Sequence, residues 1–134
     1  MNTVLIDTNV VIDFSLKREP FFEDAKNIFY KIHSKKVQAY ISASAATDIF
    51  YLIRKAKGKA LALEMLADLV AILEILDVHK STILAAIKME WGDFEDAVQA
   101  QVAMENNIEA IVTRDAKDFG RADSIKIISP HELA

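Results

Sequence analysis

The stretch Val4-Leu5-Ile6-Asp7-Thr8-Asn9 constrains the fold more than any other part of this chain. A short apolar run so close to the N-terminus predicts a β-strand that is buried on both faces, as strands of parallel sheets are. The run then changes abruptly to an acid, a hydroxyl and an amide. Because ligands and reacting groups are held at the carboxyl edge of open parallel sheets, Asp7 is either a functional acid or the N-cap of the following helix.

Further strands and helices alternate along the chain. Apolar runs at 37–41, 74–78, 110–112 and 125–128 predict strands, and segments with helical spacing of apolar residues lie between them. This alternation predicts a three-layer α/β/α sandwich around a parallel sheet of about five strands. The 134 residues contain neither an internal repeat nor a linker, so we expect one domain over residues 1–134.

One predicted helix, over residues 60–72, is apolar around most of its circumference. It carries two apolar stripes, Leu63, Leu66, Val70 and Leu73 on one and Leu61, Met65, Leu69 and Ile72 on the other. Such a helix is expected to be buried on both sides. In a domain of this size one of those sides is available to a second subunit, which predicts a homodimer. Gly58 is predicted to end the preceding helix.

The composition narrows the classes of function. The chain has no Cys, which excludes disulfides and thiolate metal sites and fits a reducing compartment. No signal-peptide pattern is present, and no apolar run approaches the ~20 residues of a membrane span, so we expect a cytoplasmic protein without a membrane partner. The net charge of −4 argues weakly against nucleic-acid binding by bulk positive charge, but bound divalent cations make a carboxylate site locally less negative.

Acidic residues recur where strands end and helices begin. The segments 6–8 and 112–115 each place a hydroxyl and an acid directly after an apolar run. Asp48 lies in the first turns of the helix after the second strand, and Asp93 and Asp96 share one face at the start of a later helix. Taken singly, these acids are explained as helix caps, Asx turns or surface charges. Taken together, they predict a cluster at the carboxyl edge of the sheet.

An acidic cluster of this kind points to metal-assisted phosphate chemistry. Several carboxylates at one edge repel one another at neutral pH unless a cation neutralises them, and hard divalent cations such as Mg²⁺ or Mn²⁺ suit oxygen ligands. Other chemistries lack their motifs, since the chain has no glycine-rich phosphate loop, no histidine metal spacing and no nucleophile elbow. Four basic residues are candidate contacts for a phosphate backbone, although such charges more often form solvated faces: Arg54, Lys55, Arg114 and Lys117.

Four segments in this order resemble the PIN domain. They are Val-Leu-Ile-Asp-Thr-Asn at 4–9, Ile-Ser-Ala-Ser-Ala-Ala-Thr-Asp at 41–48, Asp-Phe-Glu-Asp-Ala-Val at 93–98 and Ile-Val-Thr-Arg-Asp-Ala-Lys-Asp-Phe at 111–119. The resemblance covers essentially the whole chain. It implies a compact α/β/α sandwich and metal-dependent hydrolysis of RNA that leaves a 5′-phosphate. Single-domain bacterial and archaeal members of this family are often VapC-type toxins that an antitoxin holds inactive.

The resemblance also implies roles for particular residues. The matched catalytic acids are Asp7, Asp48, Asp96 and Asp115. Among them Asp7, Asp96 and Asp115 would be metal ligands, and Asp48 would be a ligand or hold a water, since it stands where the family often has the longer Glu. The matched supporting residues are Thr8, Asn9 and Thr113. The additional acids Asp93 and Asp118 lie beside matched positions, so the choice between neighbours stays open.

The leading hypothesis is therefore a Mg²⁺- or Mn²⁺-dependent endoribonuclease, and a second hypothesis makes it the toxin of a toxin–antitoxin pair. The alternative is a catalytically silent PIN-like module that binds RNA or protein, and binding of divalent ions would separate the two. A haloacid dehalogenase-like phosphatase is less favoured, because Asn9 stands where that motif needs a second acid. A toxin role requires a cognate antitoxin, whose helix would lie against part of the apolar helix at 60–73.

Overall fold

The computed structural model describes residues 2–117, 119 and 124–134, and within them the chain forms five strands and seven helices. The strands are β1 (Thr3–Ile6), β2 (Gln38–Ser42), β3 (Glu74–Leu76), β4 (Ala110–Val112) and β5 (Lys126–Ile128). The helices are α1 (Thr8–Ser15), α2 (Phe22–His33), α3 (Ala43–Lys57), α4 (Lys59–Ile72), α5 (Lys80–Met89), α6 (Phe94–Glu105) and α7 (Pro130–Leu133). None of these described helices is long and apolar enough to cross a membrane.

The strands form one parallel sheet in the order β3-β2-β1-β4-β5. Val4 in the central strand lies opposite Ala39 of β2 and Ala110 of β4. The chain builds the sheet outward from β1 to β3 on one side and adds β4 and β5 on the other. The strand order therefore reverses between β1 and β4, and the crevice at the carboxyl ends of such strands is where open α/β sheets hold ligands.

Each face of the sheet is covered by a separate hydrophobic core. Val4 and Ile6 belong to a core formed with α1, α2, α3, α4 and α7, whereas Leu5 belongs to a core formed with α5 and α6. This split follows from the period of two in a strand, which sends neighbouring side chains to opposite faces. The three-layer α/β/α sandwich with a five-stranded parallel sheet is confirmed.

Helix α4 is only partly covered by the chain. Gly58 adopts a φ of 89°, which favours glycine, and it ends α3 as predicted. Within α4 the buried residues are Ala62 and Leu69, whereas Leu63 and Val70 are exposed. The chain itself covers one side of α4, and the other side, which was expected to face a second subunit, is exposed in the single chain.

Candidate metal centre

Asp7 follows β1 directly and is also the N-cap of α1. Its Oδ1 accepts hydrogen bonds from the backbone N–H of Thr8 at 2.7 Å and from Nε2 of Gln99 at 2.9 Å, and its Oδ2 accepts one from the hydroxyl of Thr113 at 2.7 Å. A carboxylate oxygen has two lone-pair directions, so these donors occupy both at Oδ1 and one at Oδ2. Oδ2 is therefore the atom with capacity for a further ligand.

Helix α6 brings further acids to the same place. Asp93 is its N-cap, and the Asp93 carboxylate accepts a hydrogen bond from the N–H of Asp96 at 3.1 Å. One turn separates Glu95 from Gln99, and Nε2 of Gln99 donates to Oε1 of Glu95 at 2.7 Å. Because the same nitrogen also donates to Asp7, Gln99 holds the acid after β1 against the acid of α6.

These contacts gather three carboxylates into a cluster. One ligand oxygen from each of Asp7, Glu95 and Asp96 lies within 4.8 Å of the others. This separation is close to the roughly 4 Å between two oxygens on opposite sides of a Mg²⁺ ion. Beside the cluster, Oε1 of Gln99 is buried and has no hydrogen-bond partner among the described residues. The all-oxygen donor set and its spacing fit a hard divalent cation.

The cluster changes the acidity of its members. Burial raises the pKa of Asp7 above its ordinary value and the Asp115 charge adds to the rise, whereas the hydrogen bonds from Gln99, Thr113 and Thr8 oppose it. Burial also raises the pKa of Glu95, to about 8, and the neighbouring charges of Asp48, Asp7 and Asp96 contribute to that shift. Glu95 is therefore largely protonated at neutral pH unless a cation compensates its charge.

The end of β4 supplies the other side of the site. The hydroxyl of Thr113, which donates to Asp7, accepts a hydrogen bond from the N–H of Asp115 at 2.9 Å. Nδ2 of Asn9 donates to Oδ2 of Asp115 at 2.9 Å. These bonds connect the strand ends of β1 and β4 side by side, so that Asp115 lies at the exposed rim of the site.

A second buried carboxylate, Asp13 of α1, supports the segment that follows β4. It forms an ion pair with Nε of Arg114 at 2.7 Å and another with Nε of Arg18 at 3.0 Å. The guanidinium of Arg114 also lies 3.8 Å from the centre of the Phe21 ring. Arg114, between Thr113 and Asp115 in sequence, is therefore anchored to α1 by a buried charge and to Phe21 by a cation–π contact.

The site opens into a cleft of about 560 Å³. The acids that line it are Asp7, Asp48, Asp93, Glu95, Asp96 and Asp115. The cleft also has lining residues of other chemistry: Arg18, Tyr51, Leu52 and Lys55, together with Thr8 and Asn9. The lining of the cleft thus combines several acids with aromatic, apolar and basic side chains.

The amino-acid sequence matches the model of one protein family. The PIN domain model matches residues 3–117, a range that includes every acid of the cleft. The chain belongs to the PIN-domain family. The resemblance identified from the four sequence segments is thereby confirmed. A comparison with curated protein sequences gives no match.

Solved structures share the fold of this PIN domain. FitAcB from Neisseria gonorrhoeae is 18% identical, with 95% of this chain and 97% of that chain covered and a TM-score of 0.75. DNA-bound VapBC from Salmonella typhimurium is 23% identical, with coverages of 97% and 99% and a TM-score of 0.73. The sarcin-ricin loop cleaving toxin VapC20 from Mycobacterium tuberculosis is 15% identical, with coverages of 87% and 93% and a TM-score of 0.73. At these identities the similarity is one of fold.

The acids predicted from sequence fall into different places in the PIN domain. Asp7 and Asp96 lie in the three-carboxylate cluster, whereas Asp48 and Asp115 are exposed and line the cleft around it. Asp93 caps α6 and lies at the cleft as well. Asp118 lies outside the described residues.

The other predicted site residues also lie in different parts of the structure. Thr8 and Thr113 bind Asp7, as described above, and Asn9 binds Asp115. Of the candidate RNA contacts, Lys55 lines the cleft and Arg114 pairs with the buried Asp13. The remaining two, Arg54 and Lys117, are exposed and are not among the described lining residues.

Three residues that organise the site were not predicted from the sequence: Glu95, Gln99 and Asp13. A signal for the first two was present, because Glu95, Asp96 and Gln99 fall on one face of a helix that is otherwise rich in Ala and Val. Asp13 had a weaker signal, as an acid directly after the apolar run 10–12. Its buried position becomes evident only when Arg18 and Arg114 are brought to it by the fold.

Proposed function

We propose that this PIN domain is an endoribonuclease that depends on Mg²⁺ or Mn²⁺. The observation that carries the proposal is the approach of Asp7, Glu95 and Asp96 to within 4.8 Å of one another at the carboxyl edge of a parallel sheet. Family membership agrees with this chemistry, since the resemblance to PIN domains implies metal-dependent cleavage of RNA. The fold neighbour from Mycobacterium tuberculosis is described as a toxin that cleaves the sarcin-ricin loop.

In this proposal Asp7, Glu95 and Asp96 hold the cation. Glu95 takes the place in the ligand set that the sequence had assigned to Asp115, and Asp115 and Asp48 act from the rim of the cleft on the substrate or its water. The bound divalent cation would polarise the scissile phosphate and lower the pKa of a water molecule. Thr8, Thr113 and Gln99 orient the Asp7 carboxylate for this task through the hydrogen bonds described above.

The cleft also supplies a positive charge for RNA. Lys55 lines the cleft and is exposed, so we assign it to a backbone phosphate of the bound strand. Arg114 has its guanidinium committed to Asp13 and Phe21, and we assign it to the support of Asp115 and not to RNA.

Cleavage of a mixed RNA substrate with Mn²⁺, with Mg²⁺ and with EDTA tests this function. We expect cleavage only with a divalent ion, and we expect Asp7→Asn and Asp96→Asn each to abolish it. Glu64→Gln is the matched control, because it removes an exposed acid on α4 that is not among the described residues at the cleft. Cleavage that persists in both Asn variants would come from a contaminating nuclease, and a silent wild-type protein would leave the binding-module alternative.

We also propose that the protein is a toxin controlled by an antitoxin. Its fold neighbours include a toxin–antitoxin complex from Klebsiella pneumoniae, which is 20% identical with 95% of this chain and 97% of that chain covered and a TM-score of 0.70. An apolar groove of about 460 Å³ lies between α1, α2 and α4 and suits an amphipathic helix; it is lined mainly by Phe14, Phe22, Met65, Leu69 and Ile72. If a small protein encoded beside this chain inhibits RNA cleavage, Met65→Glu should abolish that inhibition without affecting cleavage.

A homodimer is the third part of the proposal. Leu63 and Val70 lie seven residues apart on the outer side of α4, and both are exposed in the single chain. A second copy would cover this apolar strip. We expect wild type to sediment as a dimer and Leu63→Glu to sediment as a monomer, whereas a wild-type monomer at high concentration would contradict the dimer.

A further inference from the structure

One face of α3 lines the cleft. Asp48, Tyr51, Leu52 and Lys55 line the cleft, and their spacing of three, four and seven residues places them on one side of a helix. The buried residues of α3, Ala45, Ile49 and Ile53, form the neighbouring stripe of the helix and anchor it in the core. A firmly packed helix thus presents an acid, an aromatic ring, an aliphatic side chain and a cation to the cleft.

Tyr51 is the largest group on this face. Its side chain is 62% exposed, and Leu52 beside it is 44% exposed. The Tyr51 ring packs against the ring of Phe50, with centroids 5.0 Å apart and an interplanar angle of 77°. This contact restricts the ring, so less side-chain entropy remains to be lost when a ligand binds.

We propose that Tyr51, with Leu52, is a stacking surface for one unpaired nucleobase of single-stranded RNA, beside the phosphate that Lys55 contacts. The proposal rests on the proposed function and adds a residue that positions the substrate. Aromatic rings stack on any base, and a cation one helical turn away matches the phosphate that each nucleotide carries. The cleft volume of about 560 Å³ lies in the range of small-ligand sites and accommodates a nucleotide.

The same geometry disfavours duplex RNA. In an A-form helix the bases are paired and stacked on one another, and their faces are not available to a side chain. Tyr51 lies in the wall of a concave cleft, so only a base that is already unstacked, in a loop or a single strand, can lie on its ring. We therefore expect the protein to prefer single-stranded RNA and loops over a perfect duplex.

Binding of a short fluorescent RNA to the Asp7→Asn protein, which keeps the strand intact, tests this proposal. Tyr51→Ala should weaken binding of the single strand by about tenfold, since base–aromatic stacking is commonly of that size. Tyr51→Phe keeps the ring and should stay within about twofold of the parent. Tyr30→Ala is the matched control, because Tyr30 is a 66% exposed tyrosine on α2 that is not among the described residues at the cleft. The duplex of the same sequence should bind more weakly and respond little to Tyr51→Ala.

Several outcomes would overturn the nucleobase site. They are an unchanged affinity in Tyr51→Ala, an equal loss in Tyr51→Phe, or no binding of RNA at all. A fourth is conversion of a dimer to a monomer by Tyr51→Ala with the affinity per chain unchanged, which would make Tyr51 a subunit contact. Cleavage by the wild type with KM and kcat unaffected by Tyr51→Ala would refute this site and leave the ribonuclease intact. RNA binding that depends on Tyr51, without any cleavage by the wild type, would support the nucleobase site and refute the ribonuclease.

Discussion

Asp7 and Asp13 lie at opposite ends of the short helix α1, and both carboxylates are almost fully buried, but their surroundings are opposite. Asp13 is 1% exposed and forms ion pairs with two guanidinium groups, those of Arg18 and Arg114. Asp7 is 5% exposed, is held by the neutral donors of Thr8, Gln99 and Thr113, and has the acids Glu95, Asp96 and Asp115 around it. One helix therefore carries a compensated buried charge and an uncompensated one.

The difference separates a carboxylate whose charge the fold compensates from one whose charge it leaves uncompensated. Burying a charge is expensive unless the fold supplies its partner, as it does for Asp13. Around Asp7 the pKa values of Asp7 and Glu95 are raised instead, which shows that the negative form is disfavoured there. Two unit charges 4.8 Å apart repel by roughly 3 kcal/mol at an effective dielectric constant of about 20. A divalent cation from solution would remove this repulsion, which is the behaviour expected of a metal centre.

The same substitution, Asp to Asn, should therefore have very different effects on the free energy of unfolding at the two ends of α1. Asp13→Asn should lower the free energy of unfolding by about 3 kcal/mol, because it leaves two cations facing a neutral amide in a mostly buried site. Asp7→Asn should lower it by only about 1 kcal/mol, because the hydrogen bond lost at one oxygen is largely offset by the removal of a repelling charge, and Asn still caps a helix. Urea denaturation of both variants in EDTA measures the two values.

Equal destabilisation by the two substitutions would break the comparison. It would mean that Asp7 is as well compensated as Asp13 and that the acidic cluster is a structural network. Repeating the measurement with Mn²⁺ provides the control, since the ion should stabilise wild type and Asp13→Asn but not Asp7→Asn.

Metal affinity should distinguish neighbouring acids of α6. Glu95→Gln should weaken Mn²⁺ binding by about 100-fold or more, above the roughly 10–100-fold loss that outer-shell substitutions cause, because it removes a ligand from the cluster. Asp93→Asn should change the affinity only severalfold, because Asn keeps the helix cap and the Asp93 carboxylate is already bound to the N–H of Asp96. Isothermal titration calorimetry with both variants measures the difference, and the reverse order of effects would move the ligand role from Glu95 to Asp93.

Stability without metal should fall as the pH rises. The folded pKa of Glu95, about 8, exceeds its ordinary value of 4.5, so the stabilising contribution of its proton is fully present below pH 4.5 and is lost as the pH rises through about 8. One group changes the free energy of unfolding by at most about 1.4 kcal/mol per pH unit, and the partial exposure of Glu95 reduces this slope. Denaturation of wild type between pH 6 and pH 8.5 in EDTA should show the decline, and Glu95→Gln should flatten it.

Metal binding should have the opposite dependence on pH. Because the cation must displace the Glu95 proton, Mn²⁺ affinity should rise by up to about tenfold per pH unit between pH 6.5 and pH 8. A constant affinity over that interval, together with an unchanged slope in Glu95→Gln, would show that Glu95 is already ionised in the free protein.

Local patterns in the sequence predicted the fold well. The run 4–6 and its polar continuation predicted the central strand and the edge of the sheet where acids meet. Gly58 predicted the end of α3. Both predictions could be made because these features depend on neighbours in the chain. Burial of α4 could be predicted only in part, since the composition of a helix tells how much apolar surface it carries but not which side this chain covers.

The site was predicted less completely, for a physical reason. Asp7 and Asp96 could be identified because an acid after a buried strand and an acid near a helix start have few alternative positions. Glu95, and not Asp115, completes the cluster with Asp7 and Asp96, and sequence spacing does not tell which acid the fold brings to that place. The pairing of Arg114 with Asp13 joins residues 101 positions apart, which only the parallel sheet brings together.

The smallest predicted effect concerns the two arginines that share Asp13. The side chain of Arg18 is 42% exposed and that of Arg114 is 26% exposed and also contacts Phe21. Arg18→Met should therefore lower the free energy of unfolding by less than about 1 kcal/mol, as for a surface ion pair, whereas Arg114→Met should lower it more. If Arg18→Met proved the more damaging in urea denaturation, the charge of Asp13 would be compensated mainly from the cleft side. Asp13 would then belong to the same electrostatic unit as Asp7, and the contrast between the two ends of α1 would disappear.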